Sequence, residues 1–198
     1  MTTRFFVQQK ITVLTNRYEV CEPLASGENG PVMAFAEQAK MKIREKITFF
    51  RDSTKAETLF SLRAEKVLDI HGKYFVEDAS GALVGGFRKD FKKSLLQSSW
   101  VLFDSNSSDL FRVEEESAAL AILRRFGDQI PFVGDLIKFF PYHFSIIDVK
   151  TGAIVGRYAK VAVIRDRYSM SVNDEAWASV DSRLMMAMAV ALDALQSR

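Results

Sequence analysis

Arg88, Lys89, Lys92 and Lys93 place four cations within six residues, with Phe91 among them and Asp90 as the only acid. Cations interleaved with an aromatic ring suit an anionic membrane surface, where each Lys or Arg adds about 1 kcal/mol. The same cluster also suits a charged loop or strand edge guarded against pairing. Lys42, Arg44 and Lys46 recur at every second position, the spacing of one outward strand face. That face fits anionic headgroups, and it equally fits a solvated exterior. Lys160, Arg165 and Arg167 add cations from a later part of the chain.

One apolar stretch stands beside these cations. Residues 130–144 read IPFVGDLIKFFPYHF, with Phe132, Val133, Leu136, Ile137, Phe139 and Phe140. This is more apolar than a surface insertion requires. It fits an interfacial membrane element, a face for a protein partner, or a lid packed over one mouth of the fold.

Other reactive residue types lack the company that chemistry needs. His71 and His143 are the only histidines and form no metal-spaced pair. Cys21 lies near Glu19 and Glu22, which raises a thiol pKa rather than activating it. Gly81-x-x-x-Gly85-Gly86 opens no helix and so is no phosphate loop. Glu114 to Glu116 read as a helix start rather than a carboxylate pair. No catalytic residue, metal or cofactor is expected.

The composition sets the class. The chain has 198 residues, 48% hydrophobic and 26% charged, with sixteen Phe against four Pro. Disorder, collagen and a multi-span membrane protein are excluded. With 27 Lys and Arg against 25 Asp and Glu, the net charge is +2, and no nucleic-acid partner is expected. A lone cysteine, no signal-peptide pattern and no run of 18 apolar residues point to a reducing, cytoplasmic setting.

The elements that must position these residues are mostly strands. In 41–51, MKIREKITFFR, Met41, Ile43, Ile47 and Phe49 alternate with Lys42, Arg44, Lys46 and Thr48. Similar runs at 4–14, 17–22, 31–37, 57–70, 73–78, 82–89, 99–104, 109–113, 142–149, 153–165 and 166–173 are broken by turn chemistry such as Ser80-Gly81 and Thr151-Gly152. Two stretches differ. Residues 114–127, EEESAALAILRRFG, order acid, apolar, base and Gly as a helix does, so 114–140 reads as a helical insertion. Residues 174–197 are helix formers, and LMMAMAVAL from Leu184 to Leu192 has no polar side chain. Such a helix must be buried all round. Nine residues span only about 14 Å, too short for a bilayer, so the strands must sheathe it.

A repeat supports closure by duplication. Asp78-Ala-Ser-Gly-Ala-Leu-Val-Gly85 matches Asp148-Val-Lys-Thr-Gly-Ala-Ile-Val-Gly156, with Lys89 and Lys160 four residues beyond. Together with Tyr74-Phe-Val-Glu-Asp78, Arg88-Lys89, Trp100-x-Leu102-Phe103-Asp104, Ser145-Ile-Ile-Asp148 and the closing apolar helix, it resembles the Tubby-like superfamily. The nearest branch is the LURP-one-related and phospholipid-scramblase-like one, over residues 31–197. The resemblance implies a single domain, a closed barrel of about twelve strands around a hydrophobic C-terminal helix. It implies a non-enzymatic module for anionic phospholipid at the inner membrane face, or else a protein-interaction module using 130–144. The acylated cysteine cluster and calcium segment of scramblases have no counterpart, and Lys42-Ile-Arg44 does not align with the phosphoinositide motif of Tubby proteins.

Overall fold

Period-two alternation becomes twelve antiparallel strands closed edge to edge. In a computed structural model, residues 1–11, 15–39, 46–65, 72–90, 98–116, 143–162 and 167–196 are described. The strands are β1 (Thr2–Ile11), β2 (Thr15–Pro23), β3 (Asn29–Ala39), β4 (Lys46–Phe50), β5 (Thr58–Ala64) and β6 (Lys73–Asp78). They continue as β7 (Leu83–Lys89), β8 (Ser99–Asp104), β9 (Asp109–Glu115), β10 (His143–Asp148), β11 (Ile154–Ala162) and β12 (Arg167–Val172). Each pairs with its neighbour in sequence, and β1 pairs with β12 to complete the ring. Closure gives every strand of the ring a partner on both sides.

One parity of every strand fills the lumen. Phe5 and Val7 of β1, Phe49 of β4, Val76 of β6, Phe87 of β7 and Ile146 of β10 are fully buried. Against them lies α2 (Ser182–Gln196). From Leu184 to Leu192 no residue is more than 5% exposed. The expectation of a helix wet on no side holds. Ala187, Ala189 and Ala191 let the wall approach, and Met185, Met186 and Met188 fill what remains. Tyr158 of β11, fully enclosed, donates its hydroxyl to the Ala189 carbonyl at 3.1 Å, and burial pushes its phenol well above the usual range.

The helix over 174–197 is two helices. α1 (Asp174–Ala178) ends at Ser179, whose hydroxyl donates to the Ala176 carbonyl. Asp181 then caps α2, its carboxylate accepting the Arg183 amide at 2.9 Å while its carbonyl accepts the Leu184 amide. Ser-x-Asp is a stop followed by a cap, and it outweighs the helix propensity on either side. α1 covers the barrel rim, tied by Asn173 at its start and by Arg4, which bonds Asp174 and lies over the Trp177 ring.

A second correction concerns Glu114 to Glu116. Glu114 and Glu115 end β9 and pair with Ser145 and Phe144; the Glu116 amide donates to the His143 carbonyl. The strand ladder satisfies their backbone groups, so they start no helix. The rest of the expected insertion, 117–140, lies outside the described residues, as do 41–45 of the expected basic strand. Among the described residues no helix is long and apolar enough to cross a membrane.

The Asp78–Gly85 and Asp148–Gly156 repeat is the hairpins β6–β7 and β10–β11. Val76 faces Gly85 and Ile146 faces Gly156 at equivalent inward positions. A Cβ on Gly156 would lie 2.6 Å from the Ser171 carbonyl, so only glycine fits the close approach of β12.

Candidate functional site

Antiparallel alternation sorts the connections between the two ends of the barrel. At one end lie 24–28, 51–57, 79–82, 105–108 and 149–153. Four of these have an aspartate at their start or just before it that accepts its own turn's amides. Asp52 takes Thr54; Asp78 takes Ser80 and Ala82; Asp104 takes Asn106 and Ser108; Asp148 takes Lys150 and Thr151. Lys55, Gly81, Ser107 and Gly152 then adopt left-handed backbone. The Thr54 hydroxyl holds the Asp52 carboxyl below its ordinary value; the Ser80 hydroxyl does so for Asp78, and the Thr151 amide for Asp148.

At the other end the connections are 12–14, 40–45, 65–72, 90–98, 116–142 and 163–166. Their sequences carry ten Lys or Arg against eight Asp or Glu, together with most of the apolar residues outside strands and α2. Phe91, Lys92, Lys93, Arg165, Phe132, Val133, Leu136, Phe139 and Phe140 belong to these segments and lie outside the described residues, as do Lys42 and Arg44.

The described cations divide into two kinds. Lys89 ends β7 with the inward parity of Phe87, opposite Trp100, and no ion pair engages it among the described residues. Lys160 of β11 shares the inward parity of Tyr158 and holds its Nζ 6.0 Å from the Tyr168 ring centre. Lys46 is exposed at the start of β4. These three stand on the lip of the basic end.

Arg88 and Arg167 do not join them. Arg88 points outward and grips Asp109 bidentately at 2.8 and 2.7 Å. Arg167 donates to Asn29 Oδ1 and the Gly27 carbonyl and lies 3.8 Å over the Phe6 ring. It folds the β2–β3 turn over Phe6 and Cys21 on the outer wall. Sequence spacing ranks both as anion ligands because it shows cations but not the acids and carbonyls brought up from strands further round the ring. Cys21 is buried there, and burial first, then Glu19, raises its thiol pKa.

The outer wall neutralises its own charge. Lys10 pairs Glu19; Arg17 and Lys55 share Glu37; Arg63 pairs Glu77; Arg157 pairs Glu116. Exposed pairs of this kind contribute little stability, but they leave little net charge for an anion. Sequence reasoning misses one feature of this wall. Phe75 and Phe103 meet edge to face at 6.2 Å across Gly86, which stands between them in register. Lys73 lies 4.8 Å from the Phe75 ring and Arg88 5.8 Å from that of Phe103. The paired glycines Gly85-Gly86 are its signal: a Cβ on Gly86 would collide with Phe103 and the Tyr74 carbonyl.

A space among Gln38, Ile47, Leu62, Tyr74, Ala191 and Ala194 measures about 10 Å³, enough for one water. Among the described residues no three His, Cys, Asp or Glu are placed to hold a metal ion.

The ring of strands and the apolar helix it sleeves fall largely within the span of a known family. The family model described as LURP-one-related matches residues 32–193. The chain belongs to the LURP-one-related family. That family is part of the Tubby-like superfamily. The matched span runs from β3 to α2, so the strands that seal the ring, β1 and β2, lie ahead of it. Membership is consistent with a lipid-binding role, and the family is not known as enzymatic. No curated protein matches the chain.

Proposed function

We propose that this LURP-one-related barrel is a non-enzymatic module that binds anionic phospholipid at a membrane surface, end-on, through its basic end. One observation carries the reading. Connections rich in both cations and apolar residues join strands at one end only, whereas the wall is charge-matched and the lumen filled. Lys89 and Lys160 on the lip, with Lys92, Lys93 and Arg165 of the adjoining connections, engage phosphates. Phe91 and the 132–140 residues enter the interface. The inner face of a cellular membrane supplies such lipid.

Co-sedimentation with neutral and anionic vesicles at low and high salt tests this. Binding to anionic vesicles that weakens with salt, and is lost when Lys89, Lys92, Lys93 and Lys160 are changed to Ser, is the expected result. Absence of binding under every condition overturns the lipid reading and turns attention to 130–144 as a face for a protein.

A further inference from the structure

A groove of about 560 Å³ opens at the Asp-turn end, between the 149–153 turn and α1. Its floor is apolar: Phe111, Val155 and Ala176 reach it and are otherwise buried. Its rim carries Asp148, Lys150, Thr151, Asn173, Glu175 and Ser179, with the Asp148 carboxylate taken up by its own turn, where it accepts the amides of Lys150 and Thr151. No hydrogen bond or ion pair among the described residues engages the Lys150 ammonium, the Glu175 carboxylate or the Asn173 amide nitrogen, although the Asn173 oxygen caps α1. The groove thus presents a cation, an anion and an amide donor above an oily floor.

The duplicated hairpin shows what is particular here. Between Asp78 and Gly81 the first copy has Ala79-Ser80; between Asp148 and Gly152 the second has Val149-Lys150-Thr151. The extra residue brings a lysine and an exposed valine to a turn whose other copy is small and uncharged. Apolar surface also continues past the groove: Val149 is 39% and Ile154 60% exposed. A small molecule held in the groove would leave that surface uncovered, whereas a chain running on across the rim would cover it.

We infer that this groove binds a short extended peptide segment of a protein partner, with an aliphatic side chain on the floor and an acidic and a basic side chain answering Lys150 and Glu175. Its volume lies within the roughly 300–1,000 Å³ typical of ligand sites. Opposite charges on one rim set the direction of the segment as well as its composition. The site lies at the end opposite the lipid-binding one and does not depend on it. If both hold, the barrel links a membrane surface to a protein.

The test uses the full chain, free of lipid, as bait for a phage-displayed library of random peptides. The expected winners carry an aliphatic residue flanked by an acid and a base. Synthesised and followed by fluorescence anisotropy, they bind roughly fivefold more weakly to Lys150→Glu or Glu175→Lys. The double variant prefers a peptide with its two charges exchanged. Ala153→Trp, at an exposed position of the groove, removes detectable binding while the melting temperature stays put. Vesicle binding is unchanged in all of these. No enrichment above an unrelated bait overturns the inference. So do winners indifferent to both charge reversals and to Ala153→Trp. Loss of vesicle binding by the native chain bears only on the lipid reading.

Discussion

The two ends of this barrel are built from different materials. At the Asp-turn end the chain reverses in short turns that carry their own hydrogen bonds: Asp52, Asp78, Asp104 and Asp148 each satisfy the amides that follow. At the basic end the connections reach 27 residues in 116–142 and hold the cations and aromatics that turn geometry does not ask for. A turn that closes itself constrains its residues to a few types. A longer connection frees its sequence from that duty, and so composition there is informative about binding. The helix α2 joins the two ends, entering at the Asp181 cap and finishing toward the basic connections.

Substitutions can separate the ends from each other and from the core. The largest effect is expected from Met188→Asp, which places a charge on a helix with no wet face. A buried unpaired charge costs several kcal/mol, and no cooperatively melting soluble protein should be recovered. Next, Lys89→Ser with Lys160→Ser should remove about 2 kcal/mol of binding to anionic vesicles, roughly thirtyfold, with thermal unfolding unchanged. Asp78→Asn at the opposite end should leave vesicle binding untouched; if the two variants behave alike, the ends are not functionally distinct. Arg167→Ala sharpens the contrast. It should lower stability by about 1–2 kcal/mol in a urea titration, since the β2–β3 turn loses its tie, and leave lipid binding intact.

Tyr158→Phe should cost about 1 kcal/mol, because the Ala189 carbonyl loses one donor but keeps its place in the helix. The smallest effect is on acid stability. Asp52, Asp78 and Asp148 at one end and Glu116 at the other have native pKa values below their unfolded ones. Their contribution is therefore complete above an unfolded value of roughly 4 and is lost as pH falls through the lowered native values. The urea midpoint should fall below about pH 4, and less steeply once Asp148 is replaced by Asn.

Much of the fold is legible in the order of the residues. Period two marks twelve strands, and LMMAMAVAL demands a sleeve. The equivalent hairpins are visible in GALVG and GAIVG. What the pattern misplaces is local: propensity carries a helix through Ser179 and Asp181, and it assigns to a helix three glutamates whose backbone is bound to β10, two of them within β9 and Glu116 just past its end. Both errors arise where weak propensity competes with a hydrogen bond that propensity does not describe, a side-chain cap in one case and a distant strand in the other. The site is less legible than the fold. Arg88 and Arg167 look like free cations in the sequence because Asp109 lies 21 residues from Arg88 and Asn29 lies 138 residues from Arg167.

The sequence alone determined which residues face inward and that the last helix has to be enclosed, because burial of apolar surface follows from side-chain period and needs no knowledge of partners. The tertiary structure decided which charges are spent and which are left. Barrel closure sets β7, β8 and β9 side by side, so that Arg88 reaches Asp109 across β8 while Lys89, one residue on, has no ion pair among the described residues, and alternation sends Lys89 to one end of the barrel and Lys150 to the other. Net charge is a property of composition; the direction in which a charge is available is a property of the fold.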